Sequence, residues 1–307
     1  MKKAILIVVV IIAITALLII NFLPNEKPQT TKGFHDINVV AAENQYGSVA
    51  KLIGGNNVKV TNIINNADGD PHTFISSVKN AKLLAEADVI IYNGADYDSW
   101  IQPILKSNHN AVIIKVQDLL NYQQTPKFGI NPHLWYNPKT FPALATKLKD
   151  IFIEKDPNDR SLYEKNYEIF NHKYEKVYKL VEQIRQDNKG TPVTATEPLF
   201  GYMANALGLD MKGLAFQWVI MNDSEPSPNM MINYQKLLID REVKVLFYNE
   251  QVTDNVTHKI LELASDNEIP VVGITETMPP NDNAIDWMIN TLQATATVLE
   301  QSKNQND

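Results

Sequence analysis

The stretch DRSLYEKNYEIFNHKYEKVYKLVEQIRQD, residues 159–187, decides the architecture. It contains no Gly or Pro, and Tyr163, Tyr167, Phe170, Tyr174, Val177, Val181 and Ile184 recur at alternating steps of four and three. That spacing puts all seven on one stripe of an α-helix. A coiled coil would use the same stripe, but only about three heptads are present and both flanks have α/β character. The pattern therefore predicts one backbone helix joining two halves. At about 1.5 Å per residue it reaches roughly 43 Å and acts as a strut.

On the N-terminal side, short apolar runs alternate with helical patterns. INVVAAE (37–43), VKVTNII (58–64), ADVIIYNG (87–94) and AVIIKV (111–116) read as strands, with helices expected around 45–54, 77–86 and 99–107. Near-continuous apolar strands separated by helices imply a parallel sheet covered on both faces. The grammar restarts beyond the strut with TPVTATE (191–197), VKVLFYNE (243–250) and IPVVGITE (269–276), plus a weaker strand near 209–216. Helices are expected around 229–242, 254–268 and 283–302. The predicted fold class is α/β, two lobes with parallel sheets joined by one long helix. Its ligand site is expected between the lobes, at the carboxyl ends of the strands. The division is an N-terminal lobe at 36–156, the linking helix at 157–189 and a C-terminal lobe at 190–307.

Residues 1–35 stand apart. Lys2 and Lys3 precede an unbroken apolar run from Ala4 to Ile20, prolonged through Leu23. A run of about 20 residues can span a bilayer of about 30 Å as a helix. A secretory signal is the usual reading of such a start. The run is longer than a typical signal core, however, and no A-x-A site follows it, which favours an uncleaved signal/anchor helix at 1–23. The two lysines keep the N-terminus cytoplasmic and place the remainder outside the cell. Residues 24–35 lack apolar periodicity and read as a flexible tether.

Composition narrows the chemistry. The chain of 307 residues has 28 Lys and Arg against 35 Asp and Glu, a net charge of −7, and no basic cluster after the first residues, so no nucleic-acid partner is expected. It has no cysteine, which excludes disulfides, thiolate metal sites and a lipidated N-terminal cysteine. Any metal must be held by His, Asp or Glu. Of six histidines, His35 falls in the tether, His109 in a polar loop, and His172 and His258 on polar helical faces, where a solvated ring is the better reading. His72 and His133 differ because each follows a proline, in Asp70-Pro71-His72 and Asn131-Pro132-His133. Proline stiffens the backbone on which each ring is mounted, as a metal ligand requires, although a capping or core histidine is the bland alternative. Glu197 and Glu276 each end a strand expected to be buried. One such acid is ordinarily a solvated terminus, but two histidines from one half and two acids from the other form a set that suits Mn, Fe(II) or Zn. Trp100, Trp135 and Trp218 read as core residues or, alternatively, as lining for a larger ligand.

The segments DPHTFISS (70–77), ADVIIYNGADYDSW (87–100), NPHLWYNP (131–138), TEPLFGYMANALGL (196–209), EPSP (225–228) and VVGITE (271–276) occur in this order. Together they resemble the metal-binding solute-binding proteins of zinc/manganese ABC transporters, over about residues 37–300. The resemblance implies one divalent transition metal ion, Zn or Mn, carried as cargo between the lobes. Its first two ligands map onto His72 and His133. The third, a His or an acid in the family, maps onto Glu197, and the fourth, usually an Asp, maps onto Glu276 with a longer arm. It also implies delivery to an ABC transporter permease by a monomer at the outer face of the membrane, with no catalytic role.

Two departures stand out. Residues 117–130 carry no histidine, so the His-rich loop of many zinc-dedicated members is absent, and the cysteine that anchors Gram-positive relatives is missing. The apolar N-terminal segment is then expected to tether the protein. A shell filled by two imidazoles and two carboxylates stores a metal without activating water. Binding requires neutral imidazoles and weakens as pH falls through their titration. Carboxylates or carbonyl groups are expected behind the imidazoles, with Asp70 and Asn131 the candidates. The competing readings are a metal-dependent hydrolase with Glu276 as base, a binder of a metal chelate or corrinoid, and an additional adhesin role; no HExxH, GxSxG, Walker A or GxGxxG motif supports another chemistry.

Overall fold

The computed structural model describes residues 36–65, 74–106, 110–125, 127–252 and 254–304. The anchor and tether expected at 1–35 lie outside the described residues, as does His72. Among the described residues no helix is long and apolar enough to cross a membrane.

The first half contains β1 (Ile37–Glu43), α1 (Asn44–Gly54), β2 (Val58–Ile64), α2 (Val78–Ala85), β3 (Val89–Tyr92), α3 (Gln102–Leu105) and β4 (Val112–Lys115). A two-stranded hairpin of β5 (Gln124–Thr125) and β6 (Gly129–Ile130) follows, then α4 (Thr140–Lys155). The four long strands form one parallel sheet in the order β2-β1-β3-β4. Alternate residues of β1 feed opposite faces. Val39 and Ala41 join the main core, whereas Val40 and Ala42 join a second cluster with Leu84, Ile90 and Ile101. This two-sided burial explains why the strand reads as continuously apolar.

The strut is α5 (Arg160–Asn188), 29 residues long. Of the predicted stripe, Tyr163, Phe170, Tyr174, Val177 and Ile184 are buried and Tyr167 and Val181 partly so. The stripe packs against α1, α4 and the C-terminal helix α10 (Ala284–Asn304). The same core cluster takes in Val39 and Trp135 from one half and Val193, Phe247 and Trp287 from the other, so the halves share their largest apolar core.

The second half contains β7 (Pro192–Ala195), α6 (Gly201–Ala206), β8 (Asp210–Lys212), α7 (Leu214–Met221), α8 (Pro228–Ile239), β9 (Val245–Asn249), α9 (Asn255–Asp266) and β10 (Val271–Ile274) before α10. Its sheet is again fully parallel, in the order β10-β9-β7-β8. Read from the other edge, this repeats the first sheet: the second strand, then the first, third and fourth. Each sheet therefore changes winding direction between its first and third strands, the place where such sheets receive ligands. Side-chain caps mark several helix starts. Ser227 accepts from the Met230 N–H ahead of Pro228, and Asp254 accepts from the N–H groups of Val256 and Thr257.

Three expectations change. The weak strand near 209–216 ends at Lys212, because Gly213 turns the chain at φ 73° and Leu214–Met221, apolar on nearly every side, forms a helix. The helix expected at 99–107 is α-helical only over Gln102–Leu105, after a 3-10 turn at Ser99–Ile101. A 16-residue helix, α4, was not anticipated, although Phe141, Leu144, Ala145, Leu148, Ile151 and Phe152 carry the helical period and are all buried.

Candidate metal site

His133 lies just past β6, at the entry to a 3-10 turn over Leu134–Tyr136, and its side chain has no solvent exposure. Asn131 sets its orientation. The Asn131 Oδ1 lies 2.8 Å from His133 Nδ1 and accepts the His133 backbone N–H at 3.1 Å. An amide oxygen can only accept, so Nδ1 carries the proton and the Nε2 lone pair is directed the other way. Trp135 and Tyr97 close on the ring edge-to-face, with centroids 5.4 and 6.2 Å away. The Asn93 amide fixes the preceding Pro132 carbonyl at 2.9 Å.

Asn131 also ties this segment to the second half. Its Nδ2 donates to the Pro198 carbonyl at 2.6 Å, and the Tyr202 hydroxyl donates to the Asn131 carbonyl at 2.9 Å. Gly201 makes the approach possible: a Cβ there would stand 3.0 Å from Asn131 Nδ2. Pro198 immediately follows Glu197, so the mount of His133 and the mount of Glu197 are connected through one hydrogen bond.

Glu197 and Glu276 are each only 6% exposed, although each follows a strand. They do not sit on the outer surface. Glu276 Oε1 lies 3.7 Å from His133 Nε2, bringing a carboxylate of the second half to an imidazole of the first. Glu276 Oε2 accepts from Asn249 Nδ2 at 3.1 Å, and Glu197 Oε2 accepts from the same nitrogen at 3.1 Å. Those two oxygens share one donor nitrogen and are therefore at most about 6 Å apart. Gln251 locks the Glu276 backbone, its Oε1 accepting the N–H of Glu276 at 2.6 Å and of Thr277 at 2.9 Å.

Behind the site is a buried acidic pair. Glu43, at the end of β1, is fully buried and faces Asp98, itself 1% exposed. Burial first, and the Asp98 charge second, push the Glu43 carboxyl well above the usual carboxylate range. Asp98 is also raised, again chiefly by burial, against the lowering effect of the Gly94 and Asn93 N–H groups that it accepts at 2.9 and 2.5 Å. Burial, then the charge of Glu276, hold the Tyr97 phenol well above its usual value, so it remains a donor beside that carboxylate.

The structure thus brings His133, Glu197 and Glu276 into one buried region. His72 is outside the described residues. Among the described residues, no three His, Asp or Glu side chains are closed around a single point. His172 and His258 lie exposed on helices, as expected, and Trp135 is a core residue. Trp100 packs at a tilt against Phe74, and Trp218 stacks on Phe128. Sequence reasoning named Asn131 but missed Asn249, Gln251 and Glu43. Two of these missed residues had a visible signal, since Glu43 and Asn249 end strands that flank the points where each sheet changes direction.

Residues 39–298 match the family described as zinc-uptake complex component A, periplasmic (ZnuA). The chain belongs to this family. Among curated relatives of this ZnuA-family chain, the metal ABC transporter substrate-binding lipoprotein SloC of Streptococcus mutans is 26% identical over 248 residues, 76% of this chain and 79% of SloC. The manganese ABC transporter substrate-binding lipoprotein PsaA of Streptococcus pneumoniae is 25% identical over 260 residues, 80% of this chain and 81% of PsaA. The fold is that of the periplasmic zinc-binding protein TroA from Treponema pallidum, with a TM-score of 0.74 and 15% identity, covering 86% of this chain and 99% of TroA.

Proposed function

We propose that this ZnuA-family protein captures one divalent transition metal ion outside the cell and passes it to the permease of an ABC transporter. His133, Glu197 and Glu276 are the described ligands in this reading, and His72 is the fourth by its resemblance to the family pattern. The observation that carries the proposal is the 3.7 Å approach of Glu276 Oε1 to His133 Nε2 across the two halves, with Nδ1 of the ring engaged by Asn131. A hydrogen-bonded Nδ1 is the usual partner of an Nε2 that binds metal. Two carboxylates neutralise a divalent charge, and the imidazoles supply borderline donors accepted by both Zn(II) and Mn(II).

The relatives are named as substrate-binding lipoproteins, which supports cargo binding over turnover. This chain has no cysteine to carry a lipid. Residues 1–23 take the anchoring role in the present reading, and the mass of the membrane-associated protein tests whether they are retained.

Calorimetric titration of the full-length protein with Zn(II), Mn(II) and Fe(II) tests the function. One-to-one binding, loosened at least tenfold in His133→Ala and in Glu276→Ala, is the expected result. Equal binding by both variants and the parent protein overturns the assignment.

A further inference from the structure

From the geometry we infer that Asn249 is a positioning residue for the metal site: its amide holds Glu197 and Glu276 at a fixed separation and turns one oxygen of Glu276 toward His133. The inference rests on the reading of these two glutamates as ligands.

Strand order puts Asn249 where this is possible. β9 lies between β7 and β10, the strands that precede Glu197 and Glu276, and Asn249 is its last residue. A side chain from the central strand can reach the acids on both neighbours. Its orientation is unambiguous, because Asn249 Oδ1 accepts the Gln251 N–H at 3.1 Å and leaves the NH2 group to the two carboxylates, which only accept. An NH2 group has two hydrogens, one for each Oε2.

The two oxygens of Glu276 are thereby given different partners. Oε2 is held by Asn249, while Oε1 is the atom 3.7 Å from the imidazole. Asn249 is only 1% exposed, so water cannot freely replace its amide. Gln251 completes the frame by fixing the Glu276 backbone and, through Nε2, the Thr277 hydroxyl at 2.8 Å. A neutral donor is the chemistry required here: a third carboxylate would add repulsion, and a lysine would compete with the incoming cation for the same charges.

The experiment compares full-length Asn249→Leu and Asn249→Ser with the parent protein, reading Mn(II) and Zn(II) dissociation constants by chelator competition and the visible spectrum of the Co(II)-loaded form. Leucine keeps the volume without a donor, and serine keeps polarity without reach, so a folding failure in one leaves the other informative. The expected result is a 10–100-fold loss of affinity, the range for residues that orient metal ligands, with displaced Co(II) bands reporting altered carboxylate coordination. Parent-like affinity in a folded variant overturns the inference. So does weakened affinity with an unchanged Co(II) spectrum, since a purely structural role would give that. His133→Ala and Glu276→Ala run alongside: if neither weakens binding, the ligand reading itself fails. If both do while the Asn249 variants bind normally, only the role of Asn249 is overturned.

Discussion

The side-chain oxygen of Asn131 sits 2.8 Å from Nδ1 of His133, and the same residue's nitrogen donates to the carbonyl of Pro198 in the other half of the molecule. One amide therefore sets the imidazole tautomer and ties the two ligand-bearing segments together. Replacing Asn131 with Ala removes both functions. The expected consequence is a loss of metal affinity of about 10–100-fold, measured by calorimetry with Zn(II) and Mn(II). Undiminished affinity would separate the ring's tautomer from metal capture.

Gly201 offers a gentler test of the same contact. A methyl group there meets Asn131 Nδ2 at 3.0 Å, so the amide must give way by a few tenths of an ångström. Sites of this kind tolerate displacements of only about 0.5 Å. Gly201→Ala is expected to weaken metal binding several-fold while shifting the metal-free melting temperature little. A large melting shift with normal affinity would show that the added methyl strains the fold instead.

Stability should carry a signature of the buried Glu43. Its folded-state titration lies well above the unfolded range, mainly because of burial, so the native state binds a proton that the unfolded chain has released. Stability then falls as pH rises above the unfolded carboxylate range and levels off once the folded group has titrated. The slope for one such group is at most about 1.4 kcal/mol per pH unit. Glu43→Gln keeps a donor toward Asp98 without needing that proton. Urea unfolding between pH 5 and 8 should show the variant gaining on the parent as pH rises; identical slopes would remove Glu43 as the cause.

The strut can be weakened away from the site. Phe170 is 2% exposed and stacks on Tyr174 with centroids 5.5 Å apart. Phe170→Ala should cost about 3–5 kcal/mol, a large share of the roughly 5–15 kcal/mol that holds a typical domain together. Chemical denaturation would measure the loss. Metal affinity of the folded fraction should be unchanged, because none of the ligand contacts passes through this residue.

Much of this was legible before any coordinates. The 4-3 spacing from Tyr163 to Ile184 marked α5 within one residue at each end, since a long buried stripe without Gly or Pro has only one regular way to hide its apolar side. β1 and β2 fell at 37–43 and 58–64 as read, because short runs rich in β-branched residues leave a strong strand signal. The Leu214–Met221 segment misled for the opposite reason: with Gln217 its one polar residue, it has no clear period from which to tell helix from strand. The proline-mounted His133 and the strand-ending Glu197 and Glu276 were visible as residue types in suggestive places.

Sequence alone thus determined the α/β class, the strut, the lack of thiol chemistry and the inventory of donors, because these follow from local periodicity and composition. Tertiary structure decided the rest. That Asn249 spans two carboxylates, that Asn131 orients His133 while gripping Pro198, and that Glu43 is buried against Asp98 all depend on which strands become neighbours. Hydrogen bonds between residues 52 or 67 positions apart in the chain leave no mark on local pattern. They exist only once parallel pairing has set β9 between β7 and β10 and the shared core has brought the halves together.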